Sequence, residues 1–190
     1  EIVAVARRRH EAALEAAEAV GAGIYVAHLN SIPLIRNPAY RDRFAAAAAE
    51  FWLPLADRAG RCGTTVVLEN MWEPGPDLQR RVVDAADHPR LKASFDNGHA
   101  LVFSDLPASA WIRKLGGDLA HLHLHDNGGE VDEHLPVGEG TEDWPGLLSA
   151  LREHAPEAVA VAESDRLEPN RRSLAALREL SGVPPSGARP

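Results

Sequence analysis

Residues 119–126 read LAHLHLHD. Side chains along a strand alternate between two faces with period two. His121, His123 and His125 therefore share one face, and Leu122 and Leu124 the other. Leucines suit a face lying beneath helices, which leaves the histidines facing inward. Four further stretches follow the same rule: residues 24–28 (IYVAH), 65–69 (TVVLE), 91–96 (LKASFD) and 158–163 (AVAVAE). Their inward sets are Ile24, Val26, His28; Thr65, Val67, Glu69; Lys92, Ser94, Asp96; and Val159, Val161, Glu163. Each of these four runs ends in a ligand-type residue on the inward side. Strands that end in ligands around a parallel barrel place those ligands at one mouth, where (β/α) barrels keep their chemistry.

Between these runs the pattern turns helical. Residues 1–20 are Ala-rich and amphipathic, and Gly21 and Gly23 stop them. Residues 38–58 form a second long helical pattern, in which Pro54 predicts a kink or a break. Asp77 is placed to cap a helix running to about Ala86, and Asp143 one running to about His154. The glycine-containing stretch 98–106 reads as a loop, 107–115 as a short helix, and 170–180 as the last helix. Helix–strand alternation argues for βα units around a parallel sheet. Only five strands are visible in 190 residues, whereas a closed (β/α)8 TIM barrel typically takes ~250. The expectation is an α/β fold made of the C-terminal five βα units of such a barrel, over residues 1–180. The remaining stretch, 181–190 (SGVPPSGARP), has the composition of a disordered tail.

Hydrophobic residues make up 45% of the chain and the formal net charge is -8. An acidic balance disfavours a nucleic-acid backbone as partner, because phosphate contacts need clustered Lys and Arg. The basic residues nearest an expected mouth loop are Arg36, Arg41 and Arg43. The single cysteine, Cys62, excludes a disulfide framework. No signal-peptide pattern opens the chain and no apolar run can span a bilayer, so the default is a cytoplasmic protein with no membrane partner. The open edges of an incomplete barrel predict pairing with another chain, as a homo-oligomer or an aggregate, or with a segment upstream of Glu1.

A lone Glu, Asp or His at a strand end is usually a cap, an ion-pair partner or a satisfied core residue. Four carboxylates at one mouth, Glu69, Asp96, Asp132 and Glu163, would repel one another and be desolvated without a cation. Mixed His and carboxylate donors suit Zn²⁺, Mn²⁺, Fe²⁺ or Co²⁺ better than Ca²⁺. The expected cofactor is a divalent metal: Mn²⁺, Zn²⁺, Co²⁺ or Mg²⁺. His121 lies deeper and reads as a core histidine, Trp144 as core, and His10, His88 and His154 as solvated helix positions. Gly138 and Gly140 read as a tight turn.

At VLEN (67–70), FDNGHA (95–100), HLHD (123–126), VDEHLPVGEG (131–140) and VAES (161–164) the sequence resembles the xylose isomerase-like barrel superfamily. That group contains sugar phosphate isomerases and epimerases and the endonuclease IV-type apurinic endonucleases (AP endonuclease family 2). The resemblance implies a central metal site at Glu69, Asp96, His123 and Glu163. It also implies that His28, His99, Asp132 and His134 can bind a further metal, as in the endonuclease branch. That branch's histidine on the preceding strand, with that strand and the two before it, is not in this sequence. His125 stands where the endonuclease branch often has Asn.

The function so implied is a metal-dependent isomerase or epimerase acting on a sugar or polyol-type substrate through a metal-stabilised enediolate. Glu69 and Glu163 would exchange the proton, while His99, Trp72 and His125 would touch the substrate. Two other readings stand beside it. One is a metal-dependent phosphodiesterase acting on abasic DNA, against which stand the net charge and the NMWEPGPD text after Glu69. The other is a truncated metal-binding barrel without activity.

Overall fold

The computed structural model describes residues 1–32, 35 and 37–182. Arg36 and residues 183–190 of the expected tail lie outside the described residues. Five strands, β1 (Ile24–His28), β2 (Thr65–Glu69), β3 (Leu91–Asp96), β4 (Leu119–Leu124) and β5 (Val159–Ala162), form one sheet in the order of the sequence. Every pairing is parallel. The helices are α1 (Ile2–Val20), α2 (Pro38–Arg61), α3 (Asp77–Ala86), α4 (Asn97–Phe103), α5 (Ala108–Leu115), α6 (Trp144–His154) and α7 (Leu167–Ser181). This is the expected α/β architecture, a five-stranded part of a TIM barrel. β1 and β5 each have one strand neighbour among the described residues. No helix of the described residues is long and apolar enough to cross a membrane.

The outward face of the sheet meets the helices in two apolar clusters. Val66, Leu68 and Leu91 pack against Trp52 and Leu55 of α2 and Val82 of α3. Phe95, Leu122 and Leu124 pack against Trp111 and Ile112 of α5 and Leu147 of α6. The leucines that alternate with the β4 histidines are thus fully buried under helices, as the parity predicts. Burying an aliphatic side chain of this size is worth roughly 1.5–3 kcal/mol, which makes a one-residue slip of the strand prohibitive.

Local chemistry explains where the elements depart from expectation. α2 runs unbroken through Pro54. A proline removes one helical hydrogen bond, but here its ring is exposed while Trp52, Leu55 and Ala56 on either side are buried and hold the helix together. Asp77 is the first residue of α3 and not its cap. Its carboxylate still lies in the first turn, where the helix dipole favours negative charge. Asp143 does cap α6, its Oδ1 accepting from Gly146 N at 3.1 Å. The expected loop from residue 98 opens instead as a helix, α4, because Asp96 caps it: Oδ1 accepts from His99 N at 2.7 Å. α7 begins at Leu167, ahead of the expected start at residue 170.

His10 is half-buried and not solvated. Its Nδ1 lies 2.7 Å from the Tyr25 hydroxyl, and its ring meets Trp52 edge-on. Trp144 is buried, and its Nε1 donates to Asp126 Oδ2 at 2.7 Å.

Candidate metal centre at the mouth of the sheet

The inward ends of β2, β3 and β4 and the residue after β5 bring Glu69, Asp96, His123 and Glu163 together. One donor atom from each lies within 4.8 Å of all the others. His123 is the hub. Its Nδ1 lies 2.6 Å from Glu69 Oε1, 3.1 Å from Glu163 Oε2 and 3.9 Å from Asp96 Oδ2. Glu69 and Asp96 are buried, and Glu163 is the open member.

In a second group beside the first, one donor atom from each of His99, Asp132 and His134 again lies within 4.8 Å of the others. His99 enters it because α4 begins directly after β3. Its Nδ1 lies 2.9 Å from the Asn70 carbonyl, which can only accept, so Nδ1 carries the proton and Nε2 faces Asp132 Oδ2 at 3.4 Å. Asp132 and His134 come from the long loop after β4. That loop is folded back by a reciprocal pair of backbone bonds between Asp126 and Leu135. The Asp126 carboxylate then accepts from the backbone N–H of Asn127, Gly138 and Glu142. Gly138 has φ +86, a turn conformation that residues with a side chain rarely adopt. His134 itself holds φ 52, a conformation disfavoured for a residue with a Cβ and found enriched at functional sites.

The other expected site residues are nearby in different roles. The His28 Nε2 lies 3.3 Å from Glu69 Oε2, the carboxylate oxygen that His123 does not take. It is half exposed and belongs to neither ligand group. Trp72 is 42% exposed in the loop after β2. His125 is wholly buried, at 0% exposure. Its ring lies against Asp96, Gly98 and His134. His121 is a core histidine as expected, with its Nδ1 2.9 Å from Ser94 Oγ. Burial, reinforced by the charge of His123, pushes its pKa down to about 4.

Charge balance accounts for the remaining shifts. Burial alone would lower His99, but its hydrogen bond to Asp132 and the charge of Asp96 raise it to about 9. Burial also opposes ionisation of Asp96, yet the hydrogen bond and charge of His125 hold it below the usual carboxylate range. Asp132 is held low in the same way, against burial, by His134 and His99. Burial would lower His123 as well, but its bond to Glu69 outweighs that and raises it. In the protein alone, protonated imidazoles therefore supply the positive charge that these carboxylates demand. The donor set is mixed imidazole and carboxylate, inward-facing and partly open, and it fits a divalent transition metal or zinc.

Two asparagines carry no role in the sequence reading although both lie inside its motifs. Asn70 joins β2 to β3: Nδ2 donates to the Asp96 carbonyl at 3.0 Å and Oδ1 accepts from Asp96 N at 2.9 Å. Asn97 does the same for His125, donating to its carbonyl at 2.9 Å and accepting from its N–H at 3.1 Å. The signal was their place directly after a ligand, in Glu69-Asn70 and Asp96-Asn97.

Residues 1–180 match the family described as xylose isomerase-like TIM barrel. An uncharacterized protein of Methanocaldococcus jannaschii is 31% identical over 106 residues, which are 55% of this chain and 36% of that protein. The matched segment thus spans about a third of the length of the curated relative. Among solved structures, a D-tagatose 3-epimerase-like protein superposes with a TM-score of 0.74 at 25% identity, covering 90% of this chain and 66% of the other. A Thermus thermophilus protein, TTHB071, soaked with ZnCl2, superposes with a TM-score of 0.75 at 31% identity, covering 94% and 69%.

Proposed function

Because the chain belongs to the xylose isomerase-like TIM barrel family, we propose that it acts as a metal-dependent isomerase or epimerase on a sugar or polyol-type substrate. The observation that carries this reading is the convergence of Glu69, Asp96, His123 and Glu163 within 4.8 Å of one another. The likeness to a D-tagatose 3-epimerase-like protein supports the substrate class.

Asp96 and His123 would hold the metal, with Glu69 and Glu163 on either side of it. Once bound, a divalent ion supplies Lewis-acid stabilisation of the negative charge that develops on two adjacent substrate oxygens. The chain's own residues do the rest. Glu69 or Glu163 removes the proton from the carbon next to the carbonyl, and the other returns it at the neighbouring carbon or on the opposite face. Their placement at different points of the sheet, the end of β2 and the residue after β5, suits a pair that works from two sides. Asn70 fixes the β2–β3 spacing through both of its amide atoms. His99, whose Nδ1 bonds the Asn70 carbonyl and whose Nε2 lies beside Asp132, would offer Nε2 to a substrate hydroxyl, and the exposed Trp72 would offer its ring as a pocket wall.

The test is exchange of a carbon-bound substrate proton with deuterated water, followed for a panel of ketoses and aldoses with Mn²⁺, Co²⁺, Zn²⁺ or Mg²⁺ added. Metal-dependent exchange that disappears in Glu163→Gln supports the reading. Its absence for every sugar in protein shown to bind metal counts against it. A second reading, a phosphodiesterase acting on abasic DNA, is favoured by the His99, Asp132 and His134 group, which offers donors for a further ion. Metal-dependent nicking of abasic duplex that vanishes in Asp132→Ala would select it.

A further inference from the structure

His125 is a fully buried, ligand-type side chain to which the proton transfer above gives no part. Its Nε2 lies 3.2 Å from Asp96 Oδ1 and 3.3 Å from Oδ2. Its ring lies parallel to that of His134, with centroids 3.9 Å apart and planes at 6°. Its Nδ1 lies 3.8 Å from Asp132 Oδ1, and neither atom has a hydrogen-bond partner among the described residues. One ring thus touches Asp96 of the first ligand group and both Asp132 and His134 of the second.

The surroundings hold that ring in place. The Asn97 amide binds both backbone groups of His125, fixing where the side chain leaves the backbone just after β4. Residue 98 is glycine, and a Cβ there would overlap the His125 ring. The FDNGHA motif therefore supplies a ligand (Asp96), a backbone clamp (Asn97), a gap for the ring (Gly98) and a second ligand (His99) in consecutive positions.

We infer that His125 is a positioning residue that locks Asp96 to the Asp132–His134 segment and so sets the metal affinity of both ligand groups. This rests on the metal-centre reading above. His125, His134 and Glu163 also lie close enough to form a ligand group themselves. Ring geometry argues against direct ligation by both: the lone pairs of two parallel stacked imidazoles lie in two parallel planes kept apart by the stack, so one ion cannot lie in both planes. A ligating carboxylate, in contrast, is commonly oriented by a hydrogen-bond donor behind it, and losing such a donor costs about 10–100-fold in affinity. Imidazole meets several demands at once. Its Nε2–H reaches Asp96, its face covers His134, and its width fills the space above Gly98. Asparagine would be too short to bring a donor to Asp96 from the same backbone position.

The experiment is Zn²⁺ binding by competition with a chromophoric chelator, with Co²⁺ visible absorption as a second probe. It compares the wild type, His125→Leu and His125→Gln, with circular dichroism reporting folding. His125→Leu should bind Zn²⁺ roughly 10–100-fold more weakly. His125→Gln, whose amide nitrogen stands where Nε2 does, should recover most of that loss. A folded His125→Leu that binds as the wild type does, or a His125→Gln as weak as His125→Leu, overturns the inference.

Should His125→Leu not fold, long-range proton–nitrogen spectra of the wild-type histidines during Zn²⁺ titration decide the matter. A positioning His125 keeps its proton on Nε2 while His123 takes up a metal-bound nitrogen. A metal-bound nitrogen on His125 overturns the inference. Wild-type protein that binds no Zn²⁺ overturns this inference and the metal-centre reading together, whereas binding that ignores His125 overturns this inference alone. Neither readout depends on turnover of a sugar.

Discussion

The Nδ1 atom of His123 lies 2.6 Å from Oε1 of Glu69, although the two residues are 54 positions apart in the chain. Parallel register brings them together. β3 lies between β2 and β4, with Glu69 beside Ser94 and His123 beside Asp96. The same contact ties the electrostatics of the mouth to its chemistry. A histidine held between Glu69 and Glu163 favours its protonated form in the protein alone, and a divalent metal must displace that proton to bind.

Metal binding should therefore release protons and depend on pH. The Zn²⁺ affinity of the wild type is expected to rise from about pH 6 to about pH 8, as His123 and His99, both raised above 6.5, become easier to deprotonate. Calorimetry in buffers of different ionisation enthalpy measures the protons released. Release of none would show that the imidazoles are not ligands.

Replacing Glu163 by Gln removes a charge and a base while keeping the shape. Loss of a positioned acid–base group typically costs about 10²–10⁴-fold in rate, so exchange of the substrate proton should fall by that order and metal affinity should fall with it. A variant that binds metal normally and still exchanges the proton would remove Glu163 from the chemistry.

Metal-free protein should lose stability as the solution turns alkaline. His99 is raised from 6.5 to about 9 in the folded state. Its contribution is present in full below pH 6.5 and is lost as pH rises through about 9. Asp96 and Asp132 are depressed below 3.8, so theirs is present above that value and is lost as pH falls through their folded values. Urea midpoints of chelator-treated protein should fall between about pH 6.5 and about pH 9.5, and should fall again below about pH 4. A midpoint unchanged across the alkaline range would contradict the Asp132–His99 pairing.

Asp143→Ala should separate folding from function. Loss of an N-cap costs about 0.5–2 kcal/mol, read as a lower urea midpoint. Zn²⁺ affinity should not change, because Asp143 caps α6 and belongs to neither ligand group. Equal stability in the variant would show that the cap contributes nothing.

Abasic duplex DNA should not bind measurably at physiological salt. The formal net charge of -8 disfavours the clustered phosphate contacts on which counterion release depends. Filter binding or anisotropy across a salt series checks this, and binding that weakens steeply with salt would contradict it.

Period-two alternation gives the strands and puts His28, Glu69, Asp96, the histidines of 121–125 and Glu163 on one face from the sequence alone, because strand geometry is local. The choice of Glu69, Asp96, His123 and Glu163 as one set is what the family resemblance adds. The same locality explains what the alternation does not resolve. The α4 segment reads as loop because its helical start depends on Asp96 turning its carboxylate onto His99 N, and the sequence shows Asp96 only as a ligand type. Pro54 reads as a break because the burial of Trp52 and Leu55 that outweighs it is tertiary. Parity puts His125 on the inward face and says nothing of its depth. Only the packed structure shows that Gly98 leaves space for its ring, that Asn97 clamps its backbone, and that the loop after β4 returns Asp132 and His134 to the same mouth. Strand period is written in neighbouring residues. Loop return and ring burial are decided by contacts between residues far apart in the chain, and these form only when the sheet and its helices pack.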